Sequence, residues 1–124
     1  MNMEKTLTIT VVGDVFMPGT VRWSNGDFVE NDEELGKQVM DKVALYFLKS
    51  DVNFCNLEAP ISDKGKPMAG RAAAFRSYPS MAEILKKNGI SFVSLANNHS
   101  LDYGWEALVD TITRLGQIKI KRLQ

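Results

Sequence analysis

The sequence has one cysteine, one histidine and no excess of charge of either sign. Each shortage excludes something. A lone cysteine, Cys55, can form no intrachain disulfide and no multi-cysteine zinc site. A lone histidine, His99, excludes HExxH and every multi-histidine metal centre built within the chain. If a metal binds, oxygen and amide ligands must supply most of its shell. Fifteen Lys and Arg balance fifteen Asp and Glu. The basic excess that nucleic acid or an anionic membrane surface calls for is therefore missing, and no nucleic-acid partner is expected. No run approaches the ~18 apolar residues of a membrane span. Met1-Asn2-Met3-Glu4-Lys5 and the short apolar run after it lack the layout of a secretory signal. The expectation is a soluble, unexported chain, cytoplasmic as it stands. There is no internal repeat and no low-complexity tract.

What is present is ordinary globular material: 124 residues, 44% hydrophobic and 24% charged, which suits one domain. Residues 7–12 are apolar and β-branched and read as a strand ending at Gly13-Asp14. Residues 33–50 carry Leu35, Val39, Met40, Val43, Phe47 and Leu48 at helical spacing, with Asn31 or Asp32 to cap the start. Residues 51–57 read as a second strand, closed by Glu58-Ala59-Pro60. A helix follows from about Ser77-Tyr78-Pro79 to Asn88-Gly89. Residues 90–95 form a third strand, and residues 105–115 a third helix with Ala107, Leu108, Ile112 and Leu115 on one face. Residues 62–71 read as an exposed loop. The basic and apolar alternation of residues 117–124 could start a strand. Cys55 reads as a small buried hydrophobe, and Tyr103 and Trp105 as packing residues at the third helix.

Strands alternating with helices predict an α/β fold with a mainly parallel sheet. Three strands are few for such a sheet, so the expectation is a single incomplete domain over residues 1–124, with an open edge prone to self-association. A polar cluster follows each strand: Asp14; Asn56 and Glu58; and Asn97, Asn98, His99 and Asp102. Ligands of open α/β sheets bind at the carboxyl ends of the strands, so these residues should meet on one rim. Carboxylates, amide oxygens and an imidazole there suit a divalent metal. Asp and Asn also follow strands because they start turns and cap helices. Arg71 and Arg76 belong either to a solvated loop or to a guanidinium fork for a carboxylate or phosphate.

Gly13-Asp14-Val15, Asn56-Leu57-Glu58-Ala59-Pro60, Phe75-Arg76 and the run Leu95-Ala96-Asn97-Asn98-His99-Ser100-Leu101-Asp102-Tyr103-Gly104 resemble the CapA-type capsule biosynthesis (poly-γ-glutamate synthesis, PGA_cap) family. The resemblance covers about residues 7–115. That family resembles the calcineurin-like metallophosphoesterases, whose fold is an αββα sandwich around two metals. The resemblance implies that this chain is a βαβαβα half of such a sandwich. It implies Asp14, Glu58 and Asn98 as metal ligands, and His99 as the group that protonates a leaving oxygen or binds the substrate's anionic group, oriented by Asp102. It implies Arg76, Asn97 and Asn56 on the substrate side. The cofactor would be Mn²⁺, Mg²⁺ or Zn²⁺, weakly held. The substrate would be an anionic polymer, a phosphoester or a γ-glutamyl compound.

Two departures stand out. Phe16 occupies the position where the wider superfamily has a histidine. The histidine motifs HWG and GHxHxxQ, which the family brings from a second sheet, do not occur. The expectation is a truncated capsule protein with little or no turnover alone. The competing expectation is a non-catalytic accessory that binds polyanion through Arg71, Arg76, Lys64 and Lys66.

Overall fold

The computed structural model describes residues 3–123; Met1, Asn2 and Gln124, which end the two terminal segments read above, lie outside them. The chain runs β1 (Ile9–Val15), β2 (Gly19–Trp23), β3 (Phe28–Glu30), α1 (Glu33–Leu48), β4 (Val52–Leu57), β5 (Ala73–Ser77), α2 (Met81–Lys87), β6 (Phe92–Ser94), α3 (Gly104–Gln117) and β7 (Lys121–Leu123). β1, β4, β6 and β7 form a parallel sheet in that order. Each pair of neighbours is joined through a helix, as parallel strands require. The fold is α/β, and the basic tail supplies a fourth strand against β6, with Ile120 buried beneath it.

A second sheet was not expected from the sequence. It is antiparallel, ordered β3-β2-β5. Its β2–β3 hairpin turns at Asn25-Gly26, where Gly26 has φ +94 and Asn25 accepts the Asp27 N–H at 3.0 Å. The Gly26 N–H donates to the Trp23 carbonyl at 3.0 Å, so the chain turns over Ser24-Asn25 and the glycine supplies the left-handed position that a longer hairpin loop requires. β5 covers residues for which no strand was expected: Arg76 was read as part of a solvated loop or a guanidinium fork, and Ser77 as the start of a helix. Ala72-Ala73-Ala74 has little strand propensity, and pairing with β2 along residues 73–77 holds it extended. The second helix accordingly starts at Met81, not at Ser77.

The core gathers Leu57, Ile61, Leu85, Val93 and Leu115, all fully buried. Each such side chain contributes about 1.5–3 kcal/mol of transfer free energy. Cys55 is buried among them, and burial pushes its thiol up to about 12. It acts as a packing residue, unreactive at neutral pH. Asp32 caps α1 by accepting the Glu34 N–H at 2.9 Å. Two thirds of the α1 stripe is uncovered, however. Met40 and Phe47 are buried, while Leu35, Val39, Val43 and Leu48 stay exposed. β1 is an edge strand, so an apolar hollow of about 520 Å³ opens between it and α1. Trp105 also departs from expectation. It is 71% exposed, whereas Tyr103 is buried.

Loop 62–71 is exposed along most of its length but pinned at its start. Buried Asp110 of α3 accepts Ser62 Oγ at 2.6 Å and Arg114 Nε at 2.9 Å, and pairs with Lys64 Nζ at 3.3 Å. Burial alone would raise the Asp110 pKa, but these three partners outweigh it and hold the carboxyl below its usual value. A depressed carboxyl stabilises the fold above its ordinary pKa, and that stability is lost as pH falls through the folded value. Asp110→Asn should therefore cost about 1–3 kcal/mol near neutrality. The gap to wild type in urea midpoints should narrow below about pH 4. A gap of constant size down to about pH 3 would contradict the assignment.

Candidate functional site

The site begins with a register slip. Val11 pairs with Phe54, but Asp14 pairs with Asn56, so β1 fits one more residue than β4 over that interval. Such a bulge re-aims the side chains beyond it. Here it sets Asp14 directly beside Asn56. Asn56 Nδ2 donates to Asp14 Oδ1 at 2.8 Å and to Glu58 Oε2 at 2.7 Å. One amide therefore gathers two carboxylates from different strand ends.

The segment after β6 supplies the rest. Asn97 starts a tight turn, with its Oδ1 accepting the His99 N–H at 3.0 Å and Ser100 Oγ at 3.2 Å. Its Nδ2 donates to Asn56 Oδ1 at 3.0 Å and to the Leu57 carbonyl at 2.8 Å. Gly104, at φ +79, then lets the chain enter α3. The turn presents the His99 ring on the rim. Its Nε2 lies 3.9 Å from Glu58 Oε1. Its Nδ1 lies 2.6 Å from Asp102 Oδ2. A carboxylate only accepts, so Nδ1 carries the proton and Nε2 is left facing Glu58.

β5 closes the far side. The Phe75 ring stacks on His99, with centroids 4.1 Å apart and planes 7° from parallel. The Phe75 N–H donates to Asp102 Oδ2 at 2.8 Å. Asp102 is wholly buried, and its other oxygen lies 3.4 Å from Arg71. Arg71 also donates to the Asn98 carbonyl.

Asp14, Asn56, Glu58, Asn97, His99 and Asp102 are thus brought into one connected cluster. Asn98 and Arg76 are not. The Asn98 side chain is exposed and lines a hollow with Arg71, Trp105 and Leu108. Arg76 follows Phe75 on β5 and so takes the other face, where its guanidinium lies 4.1 Å from the centre of the Tyr103 ring. Phe75 and Arg71 hold His99 and Asp102 in place, which sequence reasoning did not anticipate. The only trace of it was Phe75 beside Arg76 in a motif, because the contact depends on an unforeseen strand.

Among the described residues no three His, Cys, Asp or Glu side chains converge as a metal cage. What converges is a carboxylate pair, each with one oxygen not taken by Asn56. That donor set fits a hard divalent cation held from one side, with water completing its shell. It does not fit zinc in a closed nitrogen and sulfur site.

The sequence profile of the family described as "Bacterial capsule synthesis protein PGA_cap" matches residues 8–123. The uncharacterized protein y4sH of Sinorhizobium fredii is 31% identical over 115 residues, which is 89% of this chain and 23% of that protein. The PGA biosynthesis protein CapA of Bacillus subtilis is 25% identical over 112 residues, 88% of this chain and 27% of its own. A probable polyglutamine synthesis accessory protein of Mycobacterium tuberculosis is 33% identical over 66 residues, 53% of this chain and 17% of its own. The chain spans about a quarter or less of the length of these curated relatives.

Proposed function

Because the chain belongs to the bacterial capsule synthesis PGA_cap family, we propose that it carries one side of a metal-dependent phosphoesterase-like site used in making or processing an anionic capsule polymer. The observation that carries this reading is the single amide holding Asp14 and Glu58 together, with His99 Nε2 3.9 Å from Glu58. Asp14 and Glu58 would hold a divalent cation, Mg²⁺ or Mn²⁺, through their free oxygens, and Asn98 would join them only by turning in from the surface. Such a cation supplies Lewis-acid polarisation and a water of lowered pKa. The chain's own contribution is proton handling. Once protonated at Nε2 as well, His99 would give that proton to a leaving oxygen or bind an anionic group, while Asp102 holds Nδ1 and fixes the ring. Phe75 restricts the same ring by stacking. The remaining donors of a complete αββα site would come from outside the matched segment, so turnover by these residues alone is negligible.

The accessory reading, polyanion binding without chemistry, has less support. Arg71 is engaged with Asp102 and Arg76 with Tyr103, and the net charge is zero. Calorimetric titration with Mn²⁺ tests the metal reading. Weak binding is expected for the wild-type chain and none for a variant carrying Asp14→Ala and Glu58→Ala. An unchanged heat signal in that double variant rejects the site. Salt-sensitive binding of poly-γ-glutamate by the same variant would favour the accessory reading instead.

A further inference from the structure

An asparagine amide can face two ways, and only its partners decide which. Here the decision starts from the backbone. The His99 N–H can only donate, and Asn97 Oδ1 accepts it. The Leu57 carbonyl can only accept, and Asn97 Nδ2 donates to it. Two backbone groups of opposite character therefore lock Asn97. Its second N–H points at Asn56, so Asn56 must turn Oδ1 toward Asn97. That leaves Asn56 Nδ2 toward Asp14 and Glu58. Each amide nitrogen has two hydrogens, and all four are engaged.

We infer that Asn97 and Asn56 are positioning residues, a one-way amide relay that turns a donor edge onto Asp14 and Glu58 and holds the two carboxylates side by side without a cation. Both were expected among the substrate-binding residues, but neither amide has an N–H free for a substrate. The two carboxylate oxygens can be no farther apart than the two bonds to Asn56 laid end to end, 2.8 Å and 2.7 Å. Without the donor between them they would repel across that short gap. The Asn56 amide thus stands where a cation's charge would otherwise be needed. Reversing the amide would set an oxygen against two carboxylates, and the lock on Asn97 prevents this. The relay itself does not depend on the proposed function. Only its response to Mn²⁺ shares that reading.

Two measurements on the full chain decide it. In EDTA, hydrogen exchange of the ¹⁵N-labelled side-chain amides should show Asn56 and Asn97 protected about tenfold or more relative to the exposed Asn98. Exchange of Asn56 as fast as that of Asn98 overturns the relay. Asn56→Asp retains an acceptor for Asn97 but replaces the donor edge with a third carboxylate. In EDTA its Tm should fall by roughly 5 °C or more, while the Asn97 amide stays protected. Mn²⁺ should raise its Tm more than it raises that of wild type, a rescue that a simple packing role would not produce. An Asn56→Asp Tm equal to wild type in EDTA also overturns the relay. If that variant does not fold, the wild-type exchange decides alone. A lack of any Mn²⁺ effect on wild type and variant counts against the metal reading, while the EDTA results still stand for or against the relay.

Discussion

Asp102→Ala should cost about 3–5 kcal/mol of unfolding free energy, the range for removing one partner of a buried charged pair. Asp102 is completely buried and makes every contact from one carboxylate. Its Oδ2 accepts both the His99 Nδ1 proton and the Phe75 N–H, and its Oδ1 faces Arg71. Alanine would leave the Phe75 N–H with no acceptor on the outer edge of β5 and Arg71 beside an apolar void. A domain with ~5–15 kcal/mol in total would lose a large fraction of it. Urea unfolding followed by circular dichroism measures this loss. Asp102→Asn separates the hydrogen bonds from the charge. An asparagine oxygen in the place of Oδ2 still accepts both the Phe75 N–H and the His99 Nδ1 proton, so the cost should fall to about 1–3 kcal/mol. Its nitrogen then faces Arg71, so the Arg71 contact is lost while the His99 proton should stay on Nδ1, which the ring ¹⁵N shifts report. An Asp102→Ala midpoint within error of wild type would mean that β5 is held by its pairing with β2 alone.

Gly19→Ala should be almost as severe, at about 3 kcal/mol. A Cβ there would lie 1.8 Å from the Arg76 carbonyl oxygen and 2.6 Å from Ser77 Cα. Both atoms are backbone, so no side chain can rotate away, and the Gly19–Ser77 pairing must open. The effect should reach the rim, because β5 carries the Phe75 ring that stacks on His99. A loss of Tm together with a changed His99 ring signal is expected. Gly116→Ala is the control. It sits in α3 with open space around its Cβ, and a helical Gly→Ala exchange should gain about 0.5–1 kcal/mol. A Gly19→Ala chain as stable as wild type would show that β2 and β5 can separate at that end without consequence.

The parallel sheet and its helices were legible because their signals are local. Short apolar runs mark β1 and β4, although β1 continues through Gly13 to Val15 instead of stopping there; α1 opens on an acidic cap, and Gly89, at φ +97, ends the turn after α2. The antiparallel sheet was less so. Asn25-Gly26 announces its hairpin locally, but β5 is an alanine-rich segment held as a strand by long-range partners, β2 above all. The α1 stripe read correctly as helical, yet periodicity cannot say that Leu35 and Val39 are exposed among the described residues. That depends on β1 being an edge.

The same division runs through the site. Residue types at successive strand ends were enough to expect Asp14, Glu58, His99 and Asp102 close together, because parallel topology sends every strand end to one rim. Distance, direction and partner were for the fold to decide. The β1 bulge places Asp14 opposite Asn56, the Leu57 carbonyl and the His99 N–H orient two amides, and β5 brings Phe75 onto His99 while turning Arg76 away. Each of these is a long-range contact set by strand register, and a shift of one residue reverses which side chains face the rim.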